Sequence, residues 1–139
     1  MKTSNRERSV WKSVAVGLLA TIPGLCCLGC DTYIHVRARV TDGAGEPLVG
    51  ALASIPEMSG SVHPQPVPTD SAGCVTLDYV TGGFGTVTLK VSMQGRKSVD
   101  AKVPMSEPAF YEIKLVPMTE ATSSEVQRIT EADLRCPRG

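Results

Sequence analysis

The chain has 139 residues, with 14 Lys and Arg balanced by 14 Asp and Glu. Residues 1–29 hold four of the basic residues and one of the acidic ones, which leaves 10 basic and 13 acidic beyond them, net −3. A nucleic-acid binder needs a basic stripe to neutralise phosphates, so this balance argues against that class. It also shows no polybasic patch for anionic lipid.

The N-terminus comes first in chain order. Lys2, Arg6, Arg8 and Lys12 precede an apolar run from Ser13 to Cys30 that carries no charge before Asp31. A basic n-region, an apolar h-region and a small residue at the cut are the layout of a secretory signal. The segment Cys27-Leu28-Gly29-Cys30 resembles the lipobox of bacterial lipoproteins. That resemblance implies a signal peptide over residues 1–29 and a diacylglyceryl thioether on Cys30, the first residue of the mature chain. It further implies an exported chain, anchored by lipid to the outer face of the cytoplasmic membrane or to the outer membrane. Disulfides form in that compartment. Asp31 resembles the inner-membrane retention signal of some lipoproteins. Two alternatives stand beside this reading. The run of 18 residues (13–30) is close to a membrane span, which needs about 20, so an uncleaved signal-anchor is one. Pro23-Gly24 suits a break better than a continuous helix. Conventional cleavage is the other, and no A-x-A-like site supports it.

From Thr32 to Val116 the hydrophobic pattern has period two. Ile34, Val36, Ala38 and Val40 alternate with His35, Arg37 and Arg39, which predicts a half-buried strand with both arginines in water. Asp42-Gly43-Ala44-Gly45-Glu46-Pro47 is dense in turn formers. Ala51, Ala53 and Ile55 alternate next. A proline-rich stretch from Pro56 to Pro68 then reads as an extended loop or edge segment. Thr69-Asp70-Ser71-Ala72-Gly73 is a turn that launches Val75, Leu77 and Tyr79 on one face. After Gly82-Gly83-Phe84-Gly85 come Val87, Leu89 and Val91, then Val99, Ala101 and Val103, then Tyr111, Ile113 and Leu115. Short alternating strands with regular turns predict an all-β antiparallel sandwich of about seven strands.

The spacing resembles the carboxypeptidase regulatory-like domain, a transthyretin-like (prealbumin-type) β-sandwich. Val40 to Ala51 fits V-x-D-x-x-G-x-P-L-x-G-A. Thr69 to Gly73 fits T-D-x-x-G, Leu89 to Gly95 fits L-x-V-x-x-x-G, and Tyr111 to Leu115 fits the last strand. Arg96 stands where the family usually has an aromatic. The resemblance places the domain at residues 30–117 and implies an accessory, non-catalytic role beside enzymes, receptors and surface proteins.

Residues 118–139 form a tail of different character. Ser124-Glu125-Val126-Gln127 matches a capping box, and Val126, Ile129 and Ala132 to Leu134 give a weak helical period, so the tail reads either as one short docked helix or as a frayed end. Once Cys26 and Cys27 leave with the signal and Cys30 takes lipid, Cys74 and Cys136 remain. They form a disulfide, or Cys74 packs as a small hydrophobe and Cys136 stays free; spacing alone does not decide.

No chemistry of a catalyst stands out. His35 and His63 have no second ligand at a metal-binding spacing, and no cofactor is implied. His35 reads as a solvated strand histidine. Asp42 and Asp70 read as Asx-turn residues in preference to calcium ligands. There is no G-x-S-x-G elbow, and Gly82-Gly83-Phe84-Gly85 lacks the Lys-Ser/Thr of a phosphate loop. Tyr79 and Tyr111 read as core, and Phe84 as the aromatic open for recognition. The expectation is a non-enzymatic, lipid-anchored envelope module for adhesion, assembly or scaffolding. Its partners would be the membrane, through the N-terminal lipid, and an envelope protein or a glycan. A carbohydrate-binding module is the alternative.

Overall fold

The computed structural model describes residues 31–58 and 66–137. The signal segment, Cys30 and His63 lie outside the described residues. Eight strands are present among those described: β1 (Thr32–Thr41), β2 (Leu52–Ser54), β3 (Val67–Pro68), β4 (Cys74–Thr81), β5 (Thr86–Ser92), β6 (Val99–Pro104), β7 (Ala109–Lys114) and β8 (Glu125–Ile129). One short 3-10 turn, Pro56–Met58, follows β2. The strands make two four-stranded sheets, ordered β4-β1-β7-β8 and β3-β2-β5-β6. The chain is an all-β sandwich.

Alternation explains the layers. Ile34, Val36, Ala38 and Val40 of β1 are buried with Leu77 and Tyr79 of β4 and Tyr111 and Ile113 of β7. Val87, Leu89 and Val91 of β5 and Val103 of β6 belong to the same cluster from the other sheet. Each inner face is apolar at every second residue, so the two sheets share one core. Tyr111 keeps its hydroxyl satisfied by donating to Lys102 O at 2.7 Å.

Three expectations are corrected. The sandwich is mixed, because β1 and β7 run parallel, from Val36↔Ala109 to Thr41↔Lys114. The remaining pairings are antiparallel. The tail carries a strand where a helix or a frayed end was expected, since β8 adds to the edge of β7. Ser124 does not cap a helix: its hydroxyl accepts from Val116 N at 3.2 Å and donates to Lys97 O at 2.8 Å. The first sheet thus takes in residues beyond 117, through β8. Arg37 and Arg39, expected in water, are half-covered. Arg37 donates to Pro137 O at 2.9 Å, and Arg39 pairs with Glu112 at 3.5 Å.

The two turn motifs meet in space. Asp42 accepts from Ala44 N at 2.8 Å and Glu46 N at 3.0 Å, which folds the first turn. Asp70 accepts from Ala72 N and Cys74 N, both at 2.8 Å. Both carboxylates thus close Asx turns. Between them, the buried Thr69 hydroxyl donates to Leu48 O and accepts from Ala51 N. The T-D-x-x-G segment is in this way locked onto the P-L-x-G-A segment.

Candidate functional site

The outer face of the first sheet gathers the groups with chemistry. β1 and β4 pair in register, so Tyr33 lies opposite Val80 and His35 opposite Asp78. Residues directly opposite on one face stand close enough for side chains to meet. His35 Nδ1 lies 2.5 Å from Asp78 Oδ1. A carboxylate accepts, so this contact uses the tautomer that carries a proton on Nδ1. Tyr33 donates its phenol to the same oxygen at 3.0 Å. That bond favours the neutral phenol and holds the Tyr33 pKa above its ordinary value. The Tyr33 and His35 rings stack with centroids 6.3 Å apart and planes 10° apart, and Phe110 meets His35 edge-on.

The C-terminal segment crosses beside this cluster. Cys74 and Cys136 are joined by a disulfide, with Cα atoms 5.8 Å apart. That separation lies within the range a disulfide requires. Cys74 opens β4 directly after the Asp70 turn, and the turn fixes its position. Leu134 is buried just before the bridge. An open depression of about 480 Å³ lies between the cluster and this segment, lined by His35, Arg37, Asp70, Thr76, Cys136 and Pro137.

The depression presents hydrogen-bonding groups of both charges next to a stacked aromatic pair. The His35–Asp78 pair orients an imidazole, but among the described residues no hydroxyl or thiol hydrogen-bonds its other nitrogen. Nor do three or more His, Cys, Asp or Glu side chains there gather around a point that would hold a metal ion. The groups present suit stacking and polar recognition.

The structure brings Cys74 and Cys136 together; Cys30, the proposed lipid site, lies outside the described residues. Tyr79 and Tyr111 are buried and Phe84 is 88% exposed, in line with the alternation. His35, expected as a solvated strand histidine, is partly covered and pairs with Asp78 in the Tyr33–His35–Asp78–Phe110 cluster. Alternation puts Tyr33 and His35 on one face, but the partner of that face depends on the β1–β4 register.

No protein-family model matches this chain, and no curated protein matches it. A solved structure of similar shape is 3-chlorocatechol 1,2-dioxygenase from Rhodococcus opacus 1CP, with a TM-score of 0.45 and 12% sequence identity. The match covers 62% of this chain and spans 60% of the length of that one.

Proposed function

We propose that this is an exported, lipid-tethered β-sandwich that serves a bacterial envelope as a non-enzymatic accessory or binding module, in adhesion, assembly or scaffolding. The observation that carries the reading is the Cys74–Cys136 bridge. Disulfides persist in exported proteins and are rare in the cytosol. The bridge therefore agrees with an N-terminal segment laid out for export and ending at Cys30. A carboxypeptidase regulatory-like sandwich fits the same role, supported by the contact between its two quoted motifs through Thr69. An uncleaved signal-anchor would leave the same module on the same side of the membrane. Labelling with a radioactive fatty acid tests the anchor: the native chain takes up label and Cys30→Ala does not. Equal labelling of both chains would overturn the assignment of Cys30.

A second reading has its own observation. The stacked Tyr33–His35 pair beside a polar depression suits a sugar ring, which stacks on aromatics and hydrogen-bonds at its edges. Trp11 is the single tryptophan and precedes Cys30, so the mature chain would emit from tyrosine alone. Of the three tyrosines, Tyr33 is the exposed one. Glycan-dependent quenching that disappears in Tyr33→Ala would favour this reading; none across an envelope glycan panel would reject it.

A further inference from the structure

We infer that the end of the sandwich formed by Tyr33, Val80 and Phe84 sits in the headgroup–acyl boundary of the bilayer that holds the chain. The inference rests on the lipid-anchor reading and adds how the body stands on its membrane. Tyr33, Val80 and Phe84 are 54%, 61% and 88% exposed. They are also neighbours. Tyr33 and Val80 are register partners across β1 and β4, and Phe84 projects from the turn that follows β4. Thr32 Oγ1 donates to Gly83 O at 2.6 Å, which ties that turn to the start of β1.

The tether selects the occupant. β1 begins at Thr32, two residues after Cys30, so nothing resembling a linker separates lipid from fold. Three peptide units span at most about 11 Å, so Tyr33 stands within that distance of a lipidated Cys30. An anchor this short leaves the Tyr33 end no room to lift away from the surface. The local chemistry suits that position. No charged residue lies between Asp78 and Lys90, and the exposed Asp31, next to the tether, stands at the level of the polar headgroups. Glu107, in the loop before β7, is bonded to Arg128 at 2.7 Å, so its charge is compensated. Tyrosine favours the membrane–water interface, where one end of its ring is apolar and the other wet, and phenylalanine serves there as an apolar contact with the acyl boundary. The opposite end of the molecule carries Met118, 68% exposed and bonded through its N–H to Gly95 O. The seven residues of β5 lie between the two ends, a separation of about 20 Å.

Single-tryptophan variants Phe84→Trp and Met118→Trp of the processed chain are reconstituted in phosphatidylethanolamine–phosphatidylglycerol vesicles containing brominated acyl chains. Both sites are exposed, so both substitutions leave the core intact. Intact mass first establishes lipid on Cys30. With lipid present, emission from Phe84→Trp should be quenched at least about twofold more than that from Met118→Trp. Equal quenching in lipidated chains would overturn the inference and leave the anchor standing. Absence of lipid on Cys30 would overturn both, because the short tether would not exist.

Discussion

At Gly73 the chain passes so close to β1 that an added Cβ would lie 2.5 Å from Val40 O and 3.0 Å from Pro47 Cβ. The backbone there also has φ of 73°, which side chains rarely adopt. Both obstacles are backbone or ring atoms, so neither swings aside. Gly73 O meanwhile accepts from Val40 N at 2.7 Å, so a shift would break a strand contact. Gly73→Ala should cost about 1–3 kcal/mol or more, read as a lower urea midpoint at unchanged slope. An unmoved midpoint would show that the approach is looser than described. Asp42 makes a second residue-scale prediction. Its bond from Glu46 N is the main cause that holds its pKa below the ordinary 3.8. A carboxylate lowered on folding stabilises above its unfolded pKa, and that stability is lost as pH falls through the folded value. Acid titration below about pH 4 should therefore destabilise the native chain more than Asp42→Asn. Identical acid unfolding curves would remove Asp42 from the account.

At the scale of single elements, β5 is the direct check of the alternation. Leu89 is fully buried, whereas Thr88 faces outward and accepts from Lys102 Nζ at 3.1 Å. Leu89→Ala should cost about 2–5 kcal/mol. Thr88→Ala should cost less than about 1 kcal/mol. Comparable costs in thermal melts would contradict the packing. The inward faces of β1, β4, β5, β6 and β7 were legible because a strand buried on one face writes its burial into every second residue. The parallel pairing of β1 with β7 was not legible, since alternation says which face is buried and nothing about which strand lies alongside. Nor was β8. Glu125-Val126-Gln127-Arg128-Ile129 offers two apolar residues three apart, which fits a helix turn as well as a short edge strand. Docking against β7 decides between them, and propensity yields to that tertiary context. The same limit hid the His35–Asp78 contact, whose partners are 43 residues apart.

Taken as a whole, the molecule is one sandwich whose C-terminal segment returns across the outer face and is stapled to Cys74. The bridge links residues 62 apart. Closing a loop of that length stabilises by about 4 kcal/mol in the chain-entropy model. Reduction, or Cys136→Ser, should lower the denaturation midpoint by a corresponding amount and raise amide exchange in β8 and in residues 130–137. Unchanged exchange there would mean that the segment holds without the bridge. The bridge, the export layout and the lipobox-like segment together make the central claim: an exported body, oxidised and held by lipid at Cys30. Intact mass spectrometry of the chain purified from a bacterial envelope without reductant tests it most directly. The account predicts a chain that begins at Cys30, carries lipid there and holds Cys74 and Cys136 as a disulfide. An unmodified N-terminus at any other residue, or two free thiols at Cys74 and Cys136, would contradict it.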